Sequence, residues 1–345
     1  MKGDDRAILM NSENFISVEY DFPTLNEIVK PIYKWVQDFE NAFISSMRSD
    51  VHLINAIANY ILEHKGKRLR PILVFLSADL CDRPNEKTLH SAILVELLHT
   101  ATLIHDDVVD GSEMRRGSPS VNSIWKNKTA VLMGDFLFSL SLQRMIELGD
   151  MEALQLLSSV TQRMSKGELI QIEKSRIDGM NEEVYFQMIR DKTASLFSSS
   201  CELGAITTTG SPEHRKLLRE YGENIGIAFQ IKDDLFDFTG REKLIGKPIG
   251  RDIKENIITL PLIYSFANSS GGRAMEIFKA ARDNKYDSGM DELIQYVHDT
   301  GGIEYAEEKL FYYSEKALKS LKGLRNCEAK DSLISIVKFN IHRKK

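Results

Sequence analysis

The pattern Asp-Asp-x-x-Asp occurs twice in this sequence, and each copy follows a run of apolar residues. Together the copies supply six carboxylates: Asp106, Asp107, Asp110, Asp233, Asp234 and Asp237. Carboxylates at the end of an apolar helix need a neutralising partner, because burying an unpaired charge is costly. Oxygen ligands with no soft ligand nearby suit a hard cation such as Mg²⁺, which is completed by water and substrate phosphates. The two copies therefore predict a site that binds several Mg²⁺ ions and, through them, a diphosphate.

The spacing within each copy indicates which carboxylates act together. Residues four positions apart share a helix face, so Asp106 and Asp110 project together while Asp107 lies at the flank. A single copy, in a chain with 28% charged residues, could be accidental or merely solvated. Two copies in the same apolar context favour the metal site over that alternative.

Basic residues near the acidic patterns could bind the phosphates that such metals carry. Arg115 and Arg116 follow the first pattern by five residues, and guanidinium groups bind phosphate oxygens bidentately. Lys67 and Arg70 lie at the start of a predicted helix, where anions are favoured. Lys247 lies in a Gly-bounded loop after the second pattern. Each of these groups could instead be an ordinary solvated surface charge.

Four further polar residues fall on helices that lead into the proposed site. His99 precedes Asp106 by seven residues and shares its helix face, and Gln230 shares a face with the second acidic pattern. Lys192 and Thr193 stand side by side in an apolar helix. They could contact the leaving diphosphate, or they could be a snorkelling lysine beside a buried threonine. His99 could likewise be a core group rather than a ligand-binding one.

The composition limits the class of protein. The chain has 345 residues, 42% of them hydrophobic, with 8 prolines and 21 glycines. A net charge of −5 and a pI near 6.0 argue against nucleic-acid binding. Three scattered cysteines without metal spacing are typical of a reduced, cytosolic protein. We expect a soluble protein, since the N-terminus lacks signal-peptide features and no stretch is long and apolar enough to span a membrane.

Helical periodicity dominates the chain, and hairpin signals are nearly absent. We expect an all-α fold of about 10–13 helices in a single domain over residues 21–345, preceded by a loosely held arm over residues 1–20. The predicted helices span residues 24–46, 51–64, 69–81, 87–108, 129–148, 151–175, 181–208, 212–238, 258–268, 272–284, 289–299, 302–325 and 330–342. Two loops rich in glycine and basic residues follow the acidic patterns, so both should fold over one mouth.

With these residues assembled, the chain resembles the trans-isoprenyl diphosphate synthases of the polyprenyl synthetase family. The resemblance extends from about Gly66 to Pro261. Besides the first acidic pattern, it rests on motifs in family order: Gly66-Lys-Arg-Leu-Arg-Pro71, Arg115-Arg116-Gly, Gly134-Asp135, Gly167-Glu168-x-x-Gln171, Lys192-Thr193, Phe229-Gln230-x-x-Asp-Asp-x-x-Asp237 and Gly246-Lys247-x-x-Gly-x-Asp252. It implies the isoprenoid synthase fold, a helical bundle around a deep central cavity, and a cytoplasmic homodimer.

The resemblance also implies roles for individual residues. Those that resemble the family's isopentenyl diphosphate contacts are Lys67, Arg70, His99 and Arg116. Those that resemble its allylic diphosphate contacts are Arg115, Lys192, Thr193, Gln230 and Lys247. The six aspartates match its ligands for about three Mg²⁺ ions, some of them bound through water. The chain departs from the family at Ile257, where a lysine is common, so a phosphate contact from that position is in doubt.

The implied reaction condenses isopentenyl diphosphate with an allylic diphosphate, and no side chain acts as a nucleophile. In the family, a bulky aromatic residue four or five positions before the first aspartate stops chain growth early. Here those positions hold Ala101 and Thr102, with Leu98 one turn deeper. We therefore expect a long product of about 30–50 carbons, octaprenyl being the central expectation, from an open apolar tunnel. The alternative is a floor elsewhere, at Met133 or Phe136.

Three other functions remain as alternatives. A shorter-chain farnesyl or geranylgeranyl diphosphate synthase would share every motif. A terpene cyclase would also ionise a diphosphate with Mg²⁺, but its second metal motif normally mixes Asn, Ser or Thr with Glu. A regulatory subunit of a heteromeric synthase would tend to lose aspartates or arginines that this chain retains. A very apolar product would favour transient membrane contact on release.

Overall fold

The computed structural model describes residues 23–174, 180–209, 211–239, 253, 257–268, 273–283 and 288–343, and the predicted arm over residues 1–20 lies outside them. The described part is almost entirely helical, which confirms the all-α prediction. Its α-helices are α1 (Leu25–Ile28), α2 (Tyr33–Ser46), α3 (His52–Glu63), α4 (Leu69–Cys81), α5 (Glu86–Val109), α6 (Val121–Leu148), α7 (Met151–Lys174), α8 (Glu182–Ile189), α9 (Ser195–Ile206), α10 (Pro212–Thr239), α11 (Leu260–Ala267), α12 (Arg273–Asp283), α13 (Ser288–Asp299), α14 (Gly302–Ser320) and α15 (Glu328–His342).

Three local features differ from the predicted helix pattern. The single helix expected over residues 24–46 is wrong, because a 3₁₀ turn at Lys30–Ile32, with a proline in its first turn, separates α1 from α2. A two-residue hairpin, β1 (Met114–Arg115) and β2 (Ser118–Pro119), follows α5. α6 begins at Val121 rather than near residue 129, and it bends at Lys126, whose φ of 72° and ψ of 159° are not helical.

The long helix α5 occupies the middle of the bundle and carries the first acidic pattern to its end. Asn85 caps its start by accepting hydrogen bonds from the backbone N–H groups of Lys87 and Thr88. α5 packs against α4, α6 and α9, and its apolar residues are buried over most of their length. Gly134 of α6 permits this close packing, since a Cβ there would overlap the His105 imidazole.

The helix α10 carries the second acidic pattern and packs against α9 on one side and α14 on the other. Its glycines approach α9 closely: a Cβ on Gly222 would lie 2.6 Å from the Phe197 carbonyl oxygen of α9, and one on Gly226 would lie 2.6 Å from the Cα of Ala194, the residue before α9. Buried side chains from the first and second halves of α10 belong to two different apolar clusters, which fix its position. None of the described helices combines the length and the apolar content needed to cross a membrane.

Candidate active site

The middle carboxylate of the first acidic pattern is already paired. Asp107 is 2% exposed and receives Nε of Arg115 at 2.7 Å on both of its oxygens, while Nη2 of Arg115 lies 2.7 Å from Oδ1. The Asp107 carbonyl accepts hydrogen bonds from the Ser112 backbone N–H and from Asn122 Nδ2. These contacts anchor the hairpin and the first turn of α6 to the end of α5.

The other two carboxylates of this pattern experience a different cation. The charge of Lys192 acts on both Asp106 and Asp110, as expected for residues that share a helix face. Burial raises the pKa of Asp106 to about 6; Lys192 lowers it in part, and Glu168 raises it again. Asp106 is therefore a partly buried carboxylate whose negative charge is incompletely compensated, and additional positive charge would stabilise it.

Lys192 is held in place by two residues of α7. Its Nζ lies 2.5 Å from Glu168 Oε2 and donates to Gln171 Oε1 at 2.9 Å. Burial opposes its charge, but the carboxylates of Glu168 and Asp106 outweigh that effect and raise the pKa of Lys192. Gly167 allows the two helices to meet, because a Cβ there would lie 2.5 Å from the Lys192 backbone nitrogen.

A π-helical turn, Arg190–Ala194, interrupts the helix formed by α8 and α9, and it carries Lys192 and Thr193. Lys192 interacts with the first acidic pattern, whereas Thr193 Oγ1 donates to Gln230 Oε1 of α10 at 2.8 Å. Neighbouring residues of one turn thus serve the two acidic patterns separately. Such turns recur at functional sites.

The middle carboxylate of the second pattern is held by neutral donors. Gln230 Nε2 donates to Asp234 Oδ1 at 2.8 Å, and the Tyr185 hydroxyl donates to Asp234 Oδ2 at 2.6 Å. Asp234 is 3% exposed. Burial raises its pKa to about 7; the two hydrogen bonds lower it in part, while Asp233 and Asp237 raise it again. Like Asp106, Asp234 would be stabilised in its charged form by a nearby cation.

The last helix, α15, borders the site beside the remaining acids. Asp233 Oδ1 lies 2.6 Å from Nη1 of Arg343, the residue that follows α15. Asp237 is partly buried one turn further along α10. On the other side, Lys67 Nζ lies 5.3 Å from the centre of the Phe339 ring of α15.

The predicted isopentenyl diphosphate contacts on α4, α5 and the hairpin come together. Arg70 Nη1 lies 3.0 Å from His99 Nε2, and its guanidinium stacks 4.6 Å from the Phe197 ring centre. Burial lowers the pKa of Arg70 to about 10, with Glu96 raising it and Arg116 lowering it in turn. Burial, then Arg70 and Arg116, lower the pKa of His99. This basic pocket would gain from a bound anion.

Two arginines beside this pocket have strained backbone conformations. Arg68 and Arg116 are non-glycine residues with positive φ, 53° and 54°. Arg68 is 8% exposed, forms an ion pair with Glu96, and lies 3.7 Å from Glu40. Arg116 packs on Gly66, where a Cβ would lie 2.5 Å from the Arg116 Nη2 atom. Residues in uncommon backbone conformations cluster at ligand sites, where surrounding contacts maintain them.

The donor set fits Mg²⁺. Among the residues that the structure describes, no three His, Cys, Asp or Glu side chains are gathered into a ready-made metal site. Mg²⁺ is usually bound through only one or two carboxylates, with water and substrate phosphates completing its coordination. Within the same described residues, Glu168 Oε1 and Arg70 Nε are buried without a hydrogen-bond partner. An acceptor and a donor left in this state suit a site completed by a cation and an anion.

The residues predicted to control product length lie on α5 below the first acidic pattern. Leu98 and Ala101 are buried, and the Thr102 hydroxyl donates to the carbonyl of the residue three positions earlier at 2.9 Å. On α6, Met133 is buried and Phe136 is partly buried. Small side chains thus occupy the α5 positions four and five residues before Asp106.

The structure places most of the predicted site residues in one region. Contacts or mutual charge effects link Asp106, Asp107, Asp110, Arg115, Arg116, Arg70, His99, Lys192, Thr193, Gln230, Asp233 and Asp234. Lys67 lies at the edge beside α15, and Lys247 lies outside the described residues. Ile257, where a family lysine was expected, is partly buried.

The sequence did not assign roles to five residues that position the site: Glu96, Glu168, Gln171, Tyr185 and Arg343. A signal existed for three of them. Glu96 is a charge within an apolar run, and Glu168 and Gln171 stand three apart after a glycine. Tyr185 and Arg343 are 49 and 110 positions from the acids they contact, and no local pattern marks them.

Comparison with known proteins agrees with this geometry. The family model described as Polyprenyl synthetase matches residues 51–297. The all-trans-nonaprenyl-diphosphate synthase (geranyl-diphosphate specific) of Rhodobacter capsulatus is 35% identical over 321 residues, which cover 92% of this chain and 97% of that protein. The octaprenyl diphosphate synthase of Escherichia coli (strain K12) is 32% identical over 302 residues, covering 88% and 94%.

A solved structure gives the same result. The polyprenyl synthase from Caulobacter crescentus CB15, complexed with calcium and isoprenyl diphosphate, matches with a TM-score of 0.89 and 31% identity, covering 94% of this chain and 100% of that chain. The fold, the paired acidic clusters and these relatives define an enzyme that transfers prenyl groups. The chain belongs to the polyprenyl synthetase family.

Proposed function

We propose that this enzyme repeatedly condenses isopentenyl diphosphate with an allylic diphosphate and releases a long-chain all-trans polyprenyl diphosphate. The observation that carries the proposal is the π-helical turn, whose Lys192 serves one acidic cluster while Thr193 connects to the other. A basic pocket around Arg70 and His99 lies within reach of the same carboxylates. Two anionic substrates thus have separate places around one acidic centre.

The residues act on charge that develops during the reaction. The C1–O bond of the allylic diphosphate breaks, and Lys192 and Arg115 stabilise the departing diphosphate. Arg115 uses Nε and Nη2 for Asp107, so its Nη1 can point toward a phosphate. Lys247 and Gln230 are proposed to contact the same diphosphate.

The second substrate contributes its electrons after ionisation. Arg70, His99, Arg116 and Lys67 would hold isopentenyl diphosphate so that its double bond faces the allylic cation, a positioning effect. The new carbon–carbon bond forms, and the released diphosphate accepts the proton that is lost. Because no side chain forms a covalent intermediate, single substitutions of these diphosphate-binding residues should slow the condensation rather than change its chemistry.

We propose that the two acidic clusters would hold about three Mg²⁺ ions beside the allylic diphosphate, and that bound metal would supply electrostatic stabilisation of the leaving group. The raised pKa values of Asp106 and Asp234 support this proposal, since burial leaves the charge of both carboxylates incompletely compensated. Asp110 and Asp237 project from the same helix faces and would complete the ligand sets. Asp107 would act mainly through Arg115.

We propose a product of about 30–50 carbons, with octaprenyl as the central expectation, because the α5 positions four and five residues before Asp106 hold small side chains. Relatives named for octaprenyl and nonaprenyl products support this range. We propose geranyl diphosphate and farnesyl diphosphate as candidate primers. A relative described as specific for geranyl diphosphate supports the first of these.

We propose that the enzyme is a cytoplasmic homodimer built from one folded unit over residues 21–345. Large apolar side chains are exposed on α6 and α7, and they would be covered by a second copy: Ile124, Val131, Leu132, Leu142, Ile146, Met151, Leu169 and Ile172. Release of so apolar a product would involve transient contact with a membrane or a carrier.

The test is incubation of the purified protein with Mg²⁺, farnesyl or geranyl diphosphate and labelled isopentenyl diphosphate, followed by chromatographic sizing of the dephosphorylated products. A ladder that ends near 40 carbons is expected from the open tunnel. A stop at farnesyl or geranylgeranyl length would retain the reaction and overturn the length. No incorporation, alone or with a partner subunit, would overturn the proposal, and cyclic products would favour a terpene cyclase.

A further inference from the structure

Arg343 links the end of the last helix to the second acidic cluster. Its guanidinium side chain is 5% exposed and lies over two rings of α10, 4.1 Å from the centre of Phe229 and 5.1 Å from that of Phe236. Nη2 donates to the Phe229 carbonyl at 2.8 Å, and Nε donates to Asn340 Oδ1 at 2.9 Å. The third nitrogen, Nη1, is thereby directed at the Asp233 carboxylate.

The contact with Asp233 uses an oxygen that a cation would also need. Nη1 lies 2.6 Å from Asp233 Oδ1, whereas the Asp233 side chain is 40% exposed and open to solvent on its other side. A guanidinium cannot lose its charge in a protein, so it remains a permanent counter-ion for as long as it stays there. A metal that binds this oxygen would compete with Nη1 for its lone pairs and would lie close to a permanent positive charge.

We propose that Arg343 is a positioning residue that occupies Asp233 in the metal-free enzyme and competes with the divalent cation for that carboxylate. This inference rests on the proposed function, because it takes Asp233 as a metal ligand. Arg343 would thereby set the metal concentration at which the second cluster fills. Because Nε and Nη2 are held by Asn340 and Phe229, Nη1 can leave the acid only if the guanidinium turns and at least one of those two bonds breaks.

The same contact ties metal binding to the order of the C-terminal helix. Phe339 of α15 lies beside Lys67, a proposed isopentenyl diphosphate contact, and Asn340 holds Arg343. If a metal binds Asp233, Arg343 loses its ion pair with that residue, and the end of α15 loses its ionic link to α10. Entry of the first substrate with its metals would therefore loosen the edge of the pocket that receives the second.

The test is a titration of the full-length protein with Mn²⁺, in which free Mn²⁺ is followed by its electron paramagnetic resonance signal. Replacing a charged hydrogen-bonding competitor by a neutral one, Arg343→Gln, should lower the apparent Kd for Mn²⁺ about three- to tenfold. Arg343→Lys keeps the charge but loses the planar guanidinium group. Its apparent Kd for Mn²⁺ should therefore lie between those of wild type and Arg343→Gln. Equal or weaker Mn²⁺ binding by a folded Arg343→Gln protein would overturn the inference.

Two controls separate competition from a general charge effect. Arg219→Gln removes the same charge from α10 about 20 Å before Asp233, at 1.5 Å per residue, and should leave Mn²⁺ affinity unchanged. In an Asp233→Asn background, Arg343→Gln should have no further effect on the Kd. If either control variant behaves like Arg343→Gln, the specific competition is refuted.

A second measurement does not depend on whether variants of Arg343 fold. Hydrogen exchange at residues 339–343 of the wild-type protein should accelerate when Mn²⁺ is added, and the acceleration should be absent in Asp233→Asn. No change in wild type would overturn the inference. Turnover of wild-type enzyme, measured separately, distinguishes the two proposals: normal product formation with unchanged Mn²⁺ affinity in Arg343→Gln refutes only the competition. Absent turnover refutes the proposed function.

Discussion

Lys126 holds the bend in α6 in a backbone conformation that glycine adopts far more easily. Its φ of 72° and ψ of 159° fall in a region that is essentially restricted to glycine and that costs other residues about 1–3 kcal/mol. The side chain is exposed, so its removal loses little packing. Glycine carries an extra entropic cost of about 0.5–1 kcal/mol. Lys126→Gly should therefore stabilise the protein by about 0.5–2 kcal/mol.

The bend matters because it directs the first turn of α6 toward the site. That turn carries Asn122, which donates to the Asp107 carbonyl, and Trp125, whose ring meets Tyr60 edge-on at 5.3 Å. Glycine keeps the same bend, so prenyl transfer should be retained. For 345 residues the unfolding entropy is about 0.7 kcal/mol/K, so the gain corresponds to a rise in Tm of about 1–3 °C.

The assay is urea denaturation, with thermal unfolding as a second measurement. Lys128→Gly provides a matched control, since Lys128 is exposed in the regular part of the same helix. There the identical substitution should destabilise by about 0.5–1 kcal/mol. Lys126→Ala, which keeps the positive φ with a Cβ, should bring no gain. If Lys126→Gly destabilises as much as Lys128→Gly, the strain argument is refuted.

Four further results are expected. Asp106→Ala should reduce turnover more than about 100-fold with folding intact, because the leaving group loses its electrostatic support. Ala101→Phe should shorten the product, as sized by chromatography, by placing a ring near the first acidic cluster. Gly167→Ala should lower turnover about tenfold or more, because its Cβ would displace the Lys192 backbone from a distance of 2.5 Å. In the metal-free protein, burial raises the pKa of Asp234 to about 7, so its protonated form stabilises the folded state fully below about pH 4. As the pH rises, this contribution to the free energy of unfolding falls by about 1.4 kcal/mol per pH unit until the pH passes about 7.

Each of these four predictions would be contradicted by a specific result. Near-normal turnover of the Asp106 variant would remove it from the metal site, and an unchanged product distribution after Ala101→Phe would show that the tunnel runs elsewhere. Gly167→Ala with full activity would mean that the π-helical turn tolerates displacement. The pH effect is measured as a difference from Asp234→Asn, which should lack it; parallel stability profiles would contradict the raised pKa.

Local patterns predicted the parts of the site that local geometry determines. Asp106 and Asp110 share a face because of helix periodicity, and Lys192 was identified by its neighbours within one helix. Arg343 and Tyr185 could not be predicted, because their partners are far away in the chain and are reached only through the packing of whole helices. The bend at Lys126 was also missed, since lysine gives no sign of a glycine-like conformation.

The π-helical turn also constrains which insertions and deletions the enzyme can tolerate. A π turn contains one residue more than the regular helix that would replace it, and each α-helical residue turns the chain by about 100°. Deleting one residue between Arg190 and Ala194 would convert the wide turn into a regular α-helical turn, and α8 and α9 would keep their register because the wide turn accommodates that one additional residue. The side chains within the turn would be rearranged, so Lys192 and Thr193 could not both keep the directions in which they now point. Such a deletion would improve local hydrogen bonding and preserve the packing of α9, and it would still disrupt the site.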